Sequence, residues 1–487
     1  MIFSLENHSF KYELEKIARL FLPFEKFQFV ENANRTEEGI FTVLTDNGEA
    51  EIYVNIGGQV DVKKVSVKDL DEKGIELKMA VMLFDILKKQ TGYNSPWGIV
   101  TGIRPAKLMT RLAEDSSFLE AEKYFRETLL VSDEKIKLCS QCAKSEEEII
   151  GMSTADSFDL YISIPFCPSR CSYCSFVSHS VEQAKILIPQ YIDLLSKEIE
   201  QTAEIAKKLS LKLRTVYIGG GTPTSINEEQ LEKIVSAVKK NFDLSDIWEY
   251  TVEAGRPDTV TLEKLDVLKK GGVTRISINP QTMNNEILTK IGRRHTAEQT
   301  VKAFKLAREV GFDNINMDLI AGLPNEDAES FKNTIKKILE LNPESVTVHS
   351  LAMKRASNLT KANMQFVAEQ GGIAAEMQGY GYEKLLNNGY LPYYMYKQSK
   401  TVGNLENVGY SKKGFECLYN VFIMDETHTV LGCGASAVTK LKSPYKNKIE
   451  RIFNYKYPYE YINDFETIIQ RKKGIFEFYE LYCQRDK

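Results

Sequence analysis

Between Ser157 and Ala352 short β-branched runs alternate with longer amphipathic stretches, and that alternation leaves the chain few folds to choose from. The runs are DLYISIPF, RTVYIGG, EYTVEAG, GVTRISINPQ, NINMDLIAG and SVTVHSLAM, with helical patterns at Ile188–Leu209, Glu228–Lys240, Leu262–Lys270, Ala297–Val310 and Ala328–Leu339 between them. Strands joined through a helix pair in parallel, because a crossover returns the chain to the edge it left. Six such units predict an α/β fold, a partial or full parallel (β/α) barrel over residues 158–355. Any ligand site should lie at the carboxyl ends of its strands.

At 487 residues the chain exceeds one ordinary core, so flanking modules are expected. Residues 1–157 read as a small α+β domain, with an amphipathic stretch from Tyr12 to Phe21 and strands GIFTVLTD and EAEIYVNI around the turn Asn47-Gly48. Within it, SPWGIVTGIRPAKLMTRL is either a linker into a helix or an anion-binding loop carrying Arg104 and Lys107. Residues 356–487 read as a mixed α/β region with a helix near Ala374–Asn388, the run LPYYMYKQ and a strand pair ending in LGCGASAVTK.

Lys+Arg total 63 against Asp+Glu 67, a net charge of −4, which offers no electrostatic basis for capturing nucleic acid. The opening MIFSLENHSFKYELEK lacks the basic-then-apolar order of a secretory leader, and no run is apolar enough to span a bilayer. A cytoplasmic protein without a membrane span is expected. Its eight cysteines cluster unevenly, which favours metal or redox chemistry over a disulfide framework.

Cys167, Cys171 and Cys174 form a Cys-x3-Cys-x2-Cys triplet directly after the first predicted strand. Three thiolates on one loop can hold three corners of a [4Fe–4S] cubane and leave the fourth iron open. An open iron can chelate the amino and carboxylate groups of S-adenosylmethionine while the cluster passes an electron to the sulfonium. The alternatives are a zinc site, with His179 as a fourth ligand, or three unrelated cysteines. Gly219, Gly220, Gly221 and Thr222 end the second strand in GGGTPT, where bare backbone and a hydroxyl can approach a cofactor. Glu253, Gln281 and Asp318 fall near the ends of later strands, as acceptors for an ammonium or ribose or as solvated strand ends. Arg293, Arg294 and His295 in IGRRHT offer a carboxylate grip or a helix-start charge cluster. Cys139-Ser140-Gln141-Cys142 has redox spacing in a helical context that makes it incidental.

YISIPFCPSRCSYCSF, YIGGGTPTS, TVEA, RISINPQT, IGRRHT and MDLIAGLP follow one another from Tyr161 to Ala352. In them the chain resembles the radical S-adenosylmethionine enzymes, and among these the oxygen-independent coproporphyrinogen III oxidases (dehydrogenases). The N-terminal domain, EAGRPDT and GNLENVGYSKKGFECLYN are most like the HemZ-type branch. The resemblance implies that Tyr161, Gly220 and Glu253 hold the cluster-bound S-adenosylmethionine. It gives Tyr173, Gly221, Thr222, Gln281, Arg293, Asp318 and Ala352 to a second such molecule or to the substrate's space, with Tyr161 and Arg293 close to catalysis. It also implies oxidative decarboxylation of coproporphyrinogen III propionates to vinyls in haem biosynthesis, with a flavodoxin- or ferredoxin-class electron donor and a monomeric enzyme. Arg104, Arg293 or Lys354 would fix the remaining carboxylates of the porphyrinogen.

Dehydrogenases of this kind carry a further cysteine two residues after the third. Phe176 stands there instead, as in the related haem chaperones. The resemblance therefore leaves open a haem carrier, with Cys417, His428 and Cys433 as candidate axial ligands, and a radical methyltransferase or haem-degrading enzyme. The short tail also implies that the C-terminal helical domain of these enzymes is reduced or absent.

Overall fold

A computed structural model describes residues 1–31, 33–174, 178–352 and 364–483, without the side chains of 364–370. Phe176 and Lys354 lie outside the described residues. Two compact units make up the chain. The first is Met1–Ser140 with Lys397–Leu405, and the second holds nearly all the rest.

The first unit contains a five-stranded sheet in the order Gln28–Val30, Ile2–Glu6, Gly39–Leu44, Glu49–Ile56, Gln59–Ser66. Asn47-Gly48 makes the expected hairpin turn, with Gly48 at φ 69°. Gly57 and Gly58, both at positive φ, make a second hairpin and add Gln59–Ser66, whose largely exposed side chains, Lys63 and Lys64 among them, suit an edge strand. Lys11–Phe21 and Glu72–Thr91 are its principal helices. In the stretch carrying Trp97, Trp97 is buried, and a Cβ on Gly98 would lie 2.0 Å from the Leu129 carbonyl oxygen. Pro105–Glu114 is the helix that follows it.

The second unit is built on one large sheet. Its first six strands are Ser157–Ile164, Lys212–Gly220, Glu249–Glu253, Arg275–Ser277, Ile315–Ala321 and Ser345–Ser350, lying side by side in chain order and all parallel. Sequential order, with crossovers of the usual right hand, puts the connecting helices on one face and curls the sheet around the other, so a partial barrel forms rather than an open doubly wound sheet. Between the strands lie Leu187–Lys208, Glu228–Asn241, Leu262–Lys270, Ala297–Glu309 and Ala328–Leu341, each within two residues of its predicted span. The fourth strand is shorter than its sequence suggests: after Ser277 the chain breaks step and Gln281 adopts φ 69°.

Later residues complete the same sheet. Thr429–Cys433 pairs in parallel with the first strand, Gly432 beside Tyr161, and Val438–Lys442 and Ile449–Phe453 follow antiparallel. At the opposite end Glu406–Ser411 runs antiparallel to the sixth strand, with Leu391–Lys397 beyond it. The tail holds three short helices, Pro458–Asn463, Phe465–Lys472 and Gly474–Tyr482. No described helix is long and apolar enough to cross a membrane.

Candidate active site at the carboxyl ends of the barrel strands

Leu160, Ile162 and Ile164 of the first strand and Val216 and Ile218 of the second are fully buried, so the alternate residues Tyr161 and Tyr217 stand on the opposite face, in register with one another. Past Ile164 the chain pairs Phe166–Cys167 with His179–Ser180 and throws out the cysteine loop between them. That loop docks on the turn before Arg293: Ser172 N donates to Ile291 O at 3.0 Å and Ser169 Oγ to Gly292 O at 3.1 Å. All three cysteines are partly accessible, whereas Cys139, Cys142, Cys417 and Cys433 are buried.

The glycine run packs against this loop. Gly221 N donates to Ile164 O and Thr222 N to Phe166 O, each at 2.8 Å, and the Thr222 hydroxyl points at Cys167 Sγ from 3.4 Å. A Cβ on Gly221 would lie 2.6 Å from Phe166 O and 3.0 Å from Cys167 Sγ, so only glycine lets the second strand end this close to the cysteine. Gly220 turns at φ 109°, and a Cβ on Gly219 would come within 3.1 Å of the Glu253 carboxylate.

Glu253 closes the third strand. Its Oε1 accepts from Tyr217 OH at 2.7 Å, and Tyr217 stacks on Tyr419, ring centroids 4.6 Å apart, with Tyr161 completing the group at 6.2–6.3 Å. Burial pushes the carboxyl up to about 7, against the Tyr217 hydrogen bond that lowers it. Because protonated Glu253 is favoured by the fold, its contribution to stability is full below about 4.5 and is lost as pH rises through about 7. Glu253→Gln should therefore gain on wild type in thermal unfolding of the cofactor-free protein between roughly pH 5 and 8. A gap that stays constant over that range would contradict this environment.

Asp318, on the fifth strand, is held down despite burial: His349 Nε2 lies 3.8 Å from Oδ2, and Asn316 Nδ2 donates to Oδ1 at 2.7 Å. Gln281 is buried, and its backbone zips onto the same strand through Asp318 O and Ile320 N at 2.9 and 3.0 Å. A non-glycine residue held at φ 69° costs about 1–3 kcal/mol. Ala352 lies two residues past the end of the sixth strand.

Two arginines brace the loops. Arg293 gives Nε and Nη2 to Tyr173 OH at 3.2 and 3.0 Å and Nη1 to the carbonyls of Gly255 and Asn279, so its fork is committed to the chain itself. Arg256, only 2% exposed, grips Asp258 with two 3.0 Å bonds and directs Nη1 to Ser169 Oγ at 3.2 Å and Cys171 Sγ at 3.8 Å. His295 is buried beside them with its Nδ1 3.9 Å from Asp258 Oδ1, and burial together with the Arg293 charge lowers it to about 4, which keeps it neutral. Arg294 is exposed.

No three Cys, His, Asp or Glu side chains among the described residues converge as a single ion requires. A cubane asks for something else, one cysteine at each of three separate irons. The loop fits that demand: three accessible thiols, a glycine cradle against the first, and hydroxyl and guanidinium donors aimed at two of the sulfurs.

The sequence pattern of the Radical SAM superfamily matches residues 161–338. Over 474 residues, 94% of this chain and 94% of the relative, the sequence is 36% identical to the oxygen-independent coproporphyrinogen-III oxidase-like protein HemZ of Bacillus subtilis. The chain belongs to the radical SAM superfamily, in the HemZ-like family. This radical SAM protein is also 31% identical to the heme chaperone HemW of Bacillus subtilis, over 65% of its own length and 81% of the chaperone's. Its fold is that of the solved coproporphyrinogen III oxidase HemN of Escherichia coli, with a TM-score of 0.50 and 24% identity over 67% of this chain and 72% of that one. The cofactors of the superfamily are a [4Fe–4S] cluster and S-adenosylmethionine.

In this HemZ-like protein the structure brings Tyr161, Tyr173, Gly219, Gly220, Gly221, Thr222, Glu253 and Arg293 around the cysteine loop or the strand ends beside it, with Gln281 and Asp318 farther along the sheet. Sequence reasoning missed Arg256, Tyr217, Tyr419 and His349. The candidate haem ligands are otherwise engaged: His428 Nδ1 faces both Asp159 oxygens at 3.1 Å and its Nε2 faces Ser153 Oγ at 2.8 Å. Cys417 meets Glu249 Oε1 at 3.3 Å, and Cys433 meets Thr202 Oγ1 at 3.3 Å.

Proposed function

We propose that Cys167, Cys171 and Cys174 hold the cluster in residues 158–355, and that the protein oxidatively decarboxylates two propionates of coproporphyrinogen III to vinyls. The observation that supports this most is the cysteine loop meeting the glycine run and Glu253 at one end of a radical SAM barrel, in a chain 36% identical to a coproporphyrinogen-III oxidase-like protein along 94% of its length. The bound cluster and S-adenosylmethionine supply a primary carbon radical. Hydrogen leaves the propionate β-carbon to that radical, and loss of carbon dioxide and of one electron to an acceptor forms the double bond.

The residues' part is placement and shielding. Gly219 and Gly220 leave room for the cofactor against the second strand, while Glu253, as carboxylate, accepts from its amino group. The stacked rings of Tyr161, Tyr217 and Tyr419 form an aromatic wall that keeps water from a reactive carbon centre. Arg293 and Tyr173 lock the cysteine loop to the turn after the fourth strand.

Anaerobic incubation of reconstituted protein with coproporphyrinogen III, reductant and S-adenosylmethionine should yield 5′-deoxyadenosine together with mono- and divinyl products. 5′-Deoxyadenosine with the porphyrinogen unchanged would count against it. Likeness to the heme chaperones favours a second reading, a haem carrier. Stoichiometric haem binding with a Soret shift, in protein that turns over no porphyrinogen, would favour that reading instead.

A further inference from the structure

Arg256 follows the third strand in EAGRPDT and was not among the residues singled out in the sequence. The geometry points to Arg256 as the positioning residue that sets the reduction potential of the cluster, through a charge and an N–H fixed beside the Cys171 sulfur. This rests on the cysteine assignment of the preceding section.

Asp258 fixes the fork at Nε and Nη2, which leaves Nη1 to face Ser169 Oγ at 3.2 Å and Cys171 Sγ at 3.8 Å. An arginine 2% exposed cannot swing into water, and its guanidinium does not give up its proton. One added electron makes the cluster and its thiolates more negative. A fixed cation and a hydrogen bond to sulfur stabilise that state, and low local dielectric strengthens both. Asp258 tempers the charge, but it lies on the far side of the guanidinium from the sulfur-facing Nη1 and so orients the donor. Thr222 makes the parallel contact to Cys167 through a neutral hydroxyl, whereas the hydrogen-bonding donor at Cys171 is itself charged.

Redox titration of the reconstituted protein, followed by the EPR of the reduced cluster, tests this. In Arg256→Gln with unchanged iron and sulfide, the reduced-to-oxidised ratio at a fixed applied potential should fall about tenfold, a midpoint about 59 mV more negative for one electron. Arg256→Lys, which keeps the charge without the fork, should recover part of the shift. A brace that only holds the loop would leave the midpoint of cluster-loaded Arg256→Gln at the wild-type value, and that result overturns the inference. Wild-type protein grown on 15N-arginine gives a check that needs no variant. Its reduced cluster should show a guanidinium nitrogen coupling that Arg256→Lys abolishes, and absence of that coupling in wild type overturns the inference too. Wild-type protein that binds no cluster would instead refute the cysteine assignment.

Discussion

Cys171→Ala should lose its iron and sulfide to background and stop producing 5′-deoxyadenosine, while the fold survives. Cys171 sits on a loop, partly accessible, and no barrel strand depends on its side chain, so the cofactor-free variant should unfold within about 0.5 kcal/mol of wild type. The effect on cofactor binding should exceed the roughly 10–100-fold lost when a residue that only supports a metal's ligands is changed, because a ligand itself is gone. Cys167→Ala and Cys174→Ala should behave alike. Cys483→Ala, in the short tail, should keep all its iron. Iron and sulfide analysis beside denaturant unfolding separates the outcomes, and a Cys171→Ala protein with wild-type iron would contradict the assignment.

Gly221→Ala has the second largest expected effect, by a different route. The added carbon would meet Phe166 O at 2.6 Å and Phe166 N at 2.8 Å. Both are backbone atoms, which cannot rotate away as a side-chain tip would. Either the second strand end or the first must move, and Cys167, whose sulfur lies 3.0 Å from the new carbon, moves with it. Overpacking of this kind costs about 1–3 kcal/mol, and cluster loading should fall with the displaced cysteine. Gly102→Ala, where a Cβ would meet nothing within 4 Å, should change neither quantity. Full iron content and unchanged stability in Gly221→Ala would mean that the close approach of the two strand ends is not required.

The barrel was legible because its signals are local. A β-branched run bounded by glycine and followed by a capped helix declares itself within about fifteen residues, and Leu262–Lys270 matches its predicted span end to end. Partnership is different. VLGCG reads as a strand, but nothing near it says that Thr429–Cys433 lies beside Ser157–Ile164, since parallel pairing across so long a separation leaves no periodic trace. The edge strand Gln59–Ser66 was missed because its three valines stand among charged and polar residues, although Gly57-Gly58 signals the hairpin.

The site divides the same way. Cysteines at fixed spacing and a triple glycine announce chemistry by residue type alone. Tyr217 does not, because in RTVYIGG it looks like one more strand residue, and only the register that sets it beside Tyr161 and within 2.7 Å of Glu253 gives it a role. Arg256 looks like a loop cation until its burial and the bonds to Asp258 and Cys171 are seen. Arg293 was legible as an anion grip, whereas the structure commits its fork to Tyr173 and two carbonyls.

The most direct measurement is the low-temperature EPR spectrum of the anaerobically reduced protein, taken before and after addition of S-adenosylmethionine. A cubane with one iron free of protein ligands should give a [4Fe–4S]+ signal whose g-values shift when the cofactor binds that iron. A signal indifferent to the cofactor, or reduced protein with no cluster signal at all, would contradict the account.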